Sequence, residues 1–265
     1  MIFYVILFSM KNIQEITTEE LEAIKVIIFD IDGVIIPVGT ELHENQDGTE
    51  LLMKTKQLSW DFLENIKKLK KYVRLGFSSG RNLLYLKSLT NEILDEQIIL
   101  QAENGNITWL ENKITHPVYS AEYFGQLRTL KEEVKKLMAV GAKIRGFEPK
   151  LFILTIHCDK MEEIPNLVQE LAGGDLYCIW TNEGYDVGSQ TMSKGVAIQN
   201  LAEQLGIEPK QIMTTGNNYN DAEMLKIGKG VSVLPERVEG EYFIKGDKLG
   251  GELLAEFLLQ YYENR

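Results

Sequence analysis

Cysteine is scarce in this chain. The two present, Cys158 and Cys178, form no close pair such as C-x-x-C. That removes a disulfide framework and a cysteine zinc site from the expected architectures, and both residues, set in apolar strand-like runs, read as buried thiols. Histidine is also sparse: His43, His116 and His157 are scattered without ligand spacing, so none reads as a metal ligand. Long apolar runs are missing too. The opening MIFYVILFSM falls well short of the ~20 residues a membrane span needs. It carries no charged leader and no clear small-residue cleavage site, so it reads as an extra strand, an oligomer contact or a misplaced start, and a cytoplasmic location is expected. Positive charge is in deficit, with 28 Lys and Arg against 39 Asp and Glu and a net charge of −11. Nucleic acid and anionic membranes are therefore not expected partners. A phosphorylated ligand would have to find its cations inside a site. Repeats and low-complexity segments are absent as well.

What is present is ordinary globular material: 265 residues, 44% hydrophobic and 25% charged, enough for one large or two smaller domains with a sizeable core. Thr17 with Glu20 three residues on fits a capping box and opens a short helix. Val26–Phe29 is a short continuous apolar run of the kind a buried parallel strand shows. Residues 37–58 are polar, and Asp47-Gly48 signals a hairpin turn. Helix is expected over 60–71, strand over 73–77, helix over 82–90 and strand over 98–101. A hairpin around Glu111-Asn112 follows. The middle third then reads as helix 121–138, a strand pair in 143–158 broken near Pro149, helix 161–171 and strand 176–180. Alternation resumes with helix 194–204, strand 211–215, the turn GNNYND, a short helix, strand 230–234 and a last helix from 251. The expected fold is α/β, a doubly wound and mostly parallel sheet formed by 1–105 and 186–265, with an α+β domain, 106–185, inserted as a cap.

In such sheets ligands bind outside the carboxyl ends of the strands. The turns there offer Asp30 and Asp32, then Ser79, then Lys194, then Asn217 and Asp221. Two carboxylates, a hydroxyl, an ammonium and an amide–carboxylate pair make a kit for phosphoryl transfer: nucleophile, acid/base, phosphate binders and a hard-cation site.

These segments resemble the four motifs of the haloacid dehalogenase superfamily: D-I-D-G at 30–33, S-S-G-R at 78–81, S-K-G-V-A at 193–197 and G-N-N-Y-N-D at 216–221. Their order and strand or helix setting match. The long insert, the E-N-G turn at 103–105 and the M-L pair after Asp221 resemble the Cof-like sugar-phosphatase subgroup, whose relatives include trehalose-phosphate phosphatases. The resemblance implies a phosphatase acting on a small phosphorylated metabolite, with Asp30 as the nucleophile that becomes an aspartyl phosphate and Asp32 as general acid and base. Lys194 would neutralise charge, Ser79 (or Ser78) and Asn220 would bind phosphate, and Mg2+ would rest on Asp30, Asp32 through its carbonyl, Asn217 and Asp221. The departure is Asn217, where the family usually has aspartate. Asparagine can ligate through its carbonyl oxygen but brings no charge, so weaker metal binding is expected. A phosphomutase, or a binding protein on a retired catalytic scaffold, are the alternatives. Arg81 reads as the partner of a surface acid, and Arg145, Lys150 and Glu183 as solvated charges or substrate contacts.

Overall fold

The computed structural model describes residues 10–45, 49–172 and 174–265. In chain order the strands are β1 (Lys11–Asn12), β2 (Val26–Asp30), β3 (Glu41–Glu44), β4 (Leu51–Lys54), β5 (Arg74–Ser78), β6 (Ile99–Ala102), β7 (Ile107–Leu110), β8 (Lys113–Thr115), β9 (Ile144–Glu148), β10 (Leu154–Cys158), β11 (Leu176–Trp180), β12 (Gly184–Ser189), β13 (Ile212–Gly216), β14 (Lys229–Ser232) and β15 (Tyr242–Phe243). The helices are α1 (Thr18–Ala23), α2 (Trp60–Leu69), α3 (Leu83–Leu89), α4 (Ala121–Ala139), α5 (Glu163–Ala172), α6 (Lys194–Leu205), α7 (Ala222–Ile227) and α8 (Gly250–Glu263). Two compact units result. One comprises the chain up to Gly39, Lys56–Thr115 and Ser193–Arg265; the other comprises Thr40–Thr55 and His116–Met192.

The first unit is built on a sheet of order β1-β15-β14-β13-β2-β5-β6-β7-β8. From β1 to β6 the pairings are parallel, and β7 and β8 close the far edge antiparallel. The sheet is thus mostly parallel, as the alternating pattern predicts. Every residue of β2 is buried, the consequence of a central strand packed on both faces. Phe29 meets Phe62 of α2 edge-on at 5.6 Å and stacks on Phe77 at 6.1 Å. Residues 107–115, which the sequence reading assigns to the insert, pair instead with β6 of this sheet. Their turn is the expected one, with Glu111 and Asn112 at φ 51° and 61°. The residue types mark the turn, but nothing local says which sheet the hairpin joins.

The capping box at α1 is as predicted: Thr17 N donates to Glu20 Oε2 at 3.0 Å, and Glu20 N donates to Thr17 Oγ1 at 3.2 Å. Glu20 also accepts from Lys229 (2.7 Å) and from the Tyr242 hydroxyl (2.8 Å), tying α1 to β14 and β15. Burial alone would raise the Glu20 carboxyl, but Lys229, the Thr17 N–H and Tyr242 outweigh it and hold the pKa down at about 2, against an ordinary 4.5. A depressed carboxylate contributes stability above its unfolded pKa and loses it as pH falls towards the folded one. Glu20→Gln is therefore expected to cost about 1 kcal/mol at neutral pH and to flatten the loss of stability between pH 4.5 and about 2. Urea titrations across that range measure it, and an unchanged acid limb would remove the linkage.

The second unit is a four-stranded antiparallel sheet, β11-β12-β10-β9. Helices α4 and α5 cover one face through Leu130, Val134, Ile156, Ile164, Val168 and Val187. The cysteines are free; Cys158 is buried and Cys178 partly so. Strand β12 was not legible in GYDVGS, because glycine and aspartate are poor strand formers. The fold needs the glycine: a Cβ at Gly184 would lie 2.2 Å from the Ile156 carbonyl oxygen. The expected boundary at 185 therefore falls inside a strand of the second unit. Residues 40–55 also belong to this unit, as the hairpin β3–β4 with Glu44 opposite Leu51. The Asp47-Gly48 turn expected between those strands, and the opening apolar run to Ser9, lie outside the described residues. No described helix is long and apolar enough to cross a membrane.

Candidate active site

Strands β13, β2, β5 and β6 are neighbours and parallel, so the loops leaving their carboxyl ends share one rim. Asp30 ends β2 opposite Ser78 of β5, and Gly216 ends β13 next to Asn217. Lys194 is the first residue of α6, whose N-cap Ser193 accepts from Val196 N at 3.2 Å. Gly195 follows because a Cβ there would sit 2.5 Å from Glu223 Cβ of α7. That close approach carries Lys194 inward.

At the centre is an ion triad. Lys194 Nζ donates to Asp30 Oδ1 at 2.6 Å and to Asp221 Oδ1 at 2.7 Å. The lysine side chain is 1% exposed, Asp221 0% and Asp30 9%. Burial and the Asp221 charge push the Asp30 carboxyl up to about 7, only partly offset by Lys194. For Lys194, burial favours the neutral amine, but the charges and hydrogen bonds of Asp221 and Asp30 reverse this and raise it above its ordinary value. Both shifts have one cause. Two carboxylates on one ammonium leave an extra negative charge in a low-dielectric site, which therefore takes up positive charge.

Asp221 Oδ2 accepts from the backbone N–H of Asn217 (2.9 Å) and of Asn218 (3.0 Å), so this carboxylate also pins the loop after β13. Asn217 Nδ2 donates to the Asp32 carbonyl oxygen at 2.9 Å. Asp32 Oδ2 accepts from Arg81 Nε at 3.3 Å, and its Oδ1 is buried without a hydrogen-bond partner among the described residues. Arg81 corrects the sequence reading. It is buried at 6% exposure and pairs with Asp32, 49 positions away. Ser79 Oγ accepts from Arg81 N at 3.2 Å, which leaves its proton free to donate. Ser78 is fully buried with its hydroxyl unpartnered among the described residues.

Asn220 Nδ2 donates to Asn104 Oδ1 at 3.2 Å. Sequence reasoning flagged the E-N-G turn but took no site residue from it. Glu103, Asn104 and Gly105 all lie at positive φ, 53°, 55° and 93°, a run that costs backbone energy for the first two. It is tied to the phosphate-loop candidate by Asn104 N→Ser79 O (3.1 Å) and Glu103 N→Arg81 O (2.9 Å). Of the charges read in the second unit, Arg145 donates to Asp159 and to the carbonyls of Cys158 and Glu183. Lys150 is no solvated charge: its side chain is 2% exposed, between Glu148 at 3.5 Å and Asp186 at 3.6 Å.

Among the described residues no three His, Cys, Asp or Glu side chains converge to hold an ion. A cation here would rest on a mixed set of hard oxygens: the Asp30 carboxylate, the Asp32 carbonyl and the Asn217 amide oxygen. That chemistry suits Mg2+.

The haloacid dehalogenase-like hydrolase family matches residues 149–234, which include the Lys194 and Asp221 segments. Over that segment the chain is similar to the haloacid dehalogenase-like hydrolases. It is 27% identical over 246 residues to a phosphoglycolate phosphatase of Methanopyrus kandleri, covering 89% of this chain and 97% of that one. A phosphoglycolate phosphatase of Methanococcoides burtonii is 26% identical over 217 residues, with 79% and 83% covered. Among solved structures, the C. albicans trehalose-6-phosphate phosphatase C-terminal domain superposes with TM-score 0.70 at 13% identity, covering 97% and 98%. A haloacid dehalogenase-like hydrolase from B. subtilis gives TM-score 0.64 at 16% identity, covering 89% and 99%. The two structural likenesses bear on the fold, which they share.

Proposed function

We propose that this protein is a haloacid dehalogenase-like hydrolase, a Mg2+-dependent phosphatase that hydrolyses a small phosphorylated metabolite through an aspartyl phosphate on Asp30. The observation that carries the reading is the buried triad, in which Lys194 holds Asp30 and Asp221 together with one oxygen of Asp30 left over. A structural ion pair gains little from such burial, whereas a nucleophile needs a fixed direction and local positive charge.

In the first step the spare Asp30 oxygen attacks phosphorus. The bond to the leaving oxygen breaks, and Asp32 gives that oxygen its proton. In the second step Asp32 takes a proton from water, the water oxygen bonds to phosphorus, and the Asp30 oxygen leaves. The sum is phosphoester and water to alcohol and phosphate. Arg81 orients Asp32 through its Nε contact, and the Ser79 hydroxyl donates to a phosphate oxygen. We assign Asp221, saturated by Lys194 and two backbone N–H groups, to holding Lys194 and the loop rather than to ligation. Three carboxyl groups face two cations here, so a phosphate needs further positive charge, which Mg2+ held by Asp30, the Asp32 carbonyl and Asn217 would supply. The second unit is read as the cap that selects the leaving group, and 2-phosphoglycolate is the first substrate to test because relatives matching 79% and 89% of this chain are named for it.

The test is phosphate release from a panel of phosphorylated metabolites headed by 2-phosphoglycolate, in MgCl2 and in EDTA. Release in Mg2+ that stops with EDTA is expected. Turnover that ignores chelation would exclude the metal-assisted mechanism, and silence on every phosphoester would favour a binding protein, the reading that Asn217 keeps open.

A further inference from the structure

Asn217 holds a position from which its amide can serve two states of the site. Its backbone N–H is fixed on Asp221 Oδ2 at 2.9 Å, and its Nδ2 lies 2.9 Å from the Asp32 carbonyl oxygen. Gly33, at φ +79°, walls the niche: a Cβ there would lie 2.3 Å from Nδ2. With the backbone pinned, what remains free is the turn of the amide about its Cβ–Cγ bond. A half-turn exchanges nitrogen and oxygen in almost the same volume and leaves Oδ1 facing the Asp32 carbonyl at the same separation.

Two oxygens that close repel unless a proton or cation lies between them. Around an octahedral Mg2+, with bonds of about 2.05 Å, adjacent oxygens are about 2.9 Å apart. Around Ca2+, with bonds of about 2.3–2.6 Å, the same right angle would spread them to roughly 3.3–3.7 Å. The separation present in the chain, an ordinary N–H···O length, is also one that two neighbouring Mg2+ ligands can keep.

Building on the phosphatase reading, we infer that Asn217 is a two-position ligand. Its amide latches the Asp32 carbonyl when no cation is bound and turns over to present Oδ1, beside that carbonyl, when Mg2+ enters. Aspartate could not do this. Without a cation its carboxylate would face the Asp32 carbonyl with no proton to share and would add a fourth negative group to Asp30, Asp32 and Asp221. The asparagine thus favours an ordered metal-free site at the expense of Mg2+ affinity, since fewer ligand charges and a hydrogen bond to break both weaken binding.

Thermal unfolding and calorimetric Mg2+ titration of wild type, Asn217→Asp and Asn217→Ala test this without any turnover assay. In EDTA both variants should melt lower than wild type by about 2–4 °C, the scale of one lost hydrogen bond in a chain of this size. With Mg2+, Asn217→Asp should bind about tenfold tighter or more and gain the most in melting temperature, while Asn217→Ala should bind more weakly than wild type. Asn217→Asp as stable as wild type in EDTA would overturn the latch, and Asn217→Ala binding Mg2+ as wild type does would overturn the ligand. If the variants fold poorly, the Asn217 side-chain amide protons of 15N-labelled wild type provide the readout. They should shift as Mg2+ is added and stay put with Ca2+ at equal occupancy, and protons indifferent to Mg2+ would end the proposal. Turnover with no latch would sink this inference alone; a latch with no turnover would sink the phosphatase reading alone.

Discussion

Asp30→Asn is expected to remove phosphate release, by at least about 10³-fold, while leaving the metal-free protein as stable as wild type or more so. The amide keeps the shape and the acceptor for Lys194 Nζ, now 2.6 Å away, but has no lone-pair charge with which to attack phosphorus. The stability half of the result follows from electrostatics. Burial and Asp221 push the Asp30 carboxyl up to about 7 when no metal is bound. Between the ordinary aspartate value of 3.8 and about 7 the folded state holds a proton that the unfolded chain has released. Metal-free stability should therefore be highest at the acid end of that window and fall as pH rises through about 7. The neutral amide removes this slope. Paired urea titrations in EDTA at several pH values, beside phosphate assays in Mg2+, measure both halves. A variant that still turns over would displace Asp30 as nucleophile, and one that keeps the wild-type slope would place the titration elsewhere.

Lys194→Met should produce the largest loss of stability. Removing the ammonium strands Asp30 and Asp221 against each other with 9% and 0% of their side chains exposed. Breaking a buried ion pair from one side typically costs about 3–5 kcal/mol. Asp30 can escape part of that cost by taking up a proton, so the defect should be severe near pH 8 and milder near pH 5. Turnover should be lost at both, because the charge that balances the phosphoryl group is gone. Equal destabilisation at the two pH values would mean that lost packing, not charge, dominates at this position.

The parts of the fold that could be read directly were those whose cause is local. Thr17 and Glu20 sit three residues apart and cap the same turn. The apolar run before Asp30 reads as a strand buried on both faces, and it is one. Glu111-Asn112 turns a hairpin by its own backbone preference. What escaped has a distant cause. Strand β12 is a strand because β10 and β11 flank it, despite glycines that argue otherwise. The hairpin at 107–115 joins the large sheet because β6 offers an open edge. Within the site, Asp30, Lys194 and Asp221 pointed to one another through their places at the carboxyl ends of the strands and through the resemblance of their motifs, and the structure brings them within hydrogen-bonding distance. The Arg81–Asp32 contact and the Asn104–Asn220 bond link loops far apart in the chain, which no spacing could reveal.

The sheet order also bears on synthesis. Strand Val26–Asp30 leaves the ribosome well before its neighbour on one side, Ile212–Gly216, which follows it by more than 180 residues. Until then the nascent chain carries an open, strongly apolar edge down the middle of its future core, the kind of surface that recruits chaperones or other unfinished copies. Any message truncated before that strand would yield a product with Asp30 in place and nothing to close the sheet beside it.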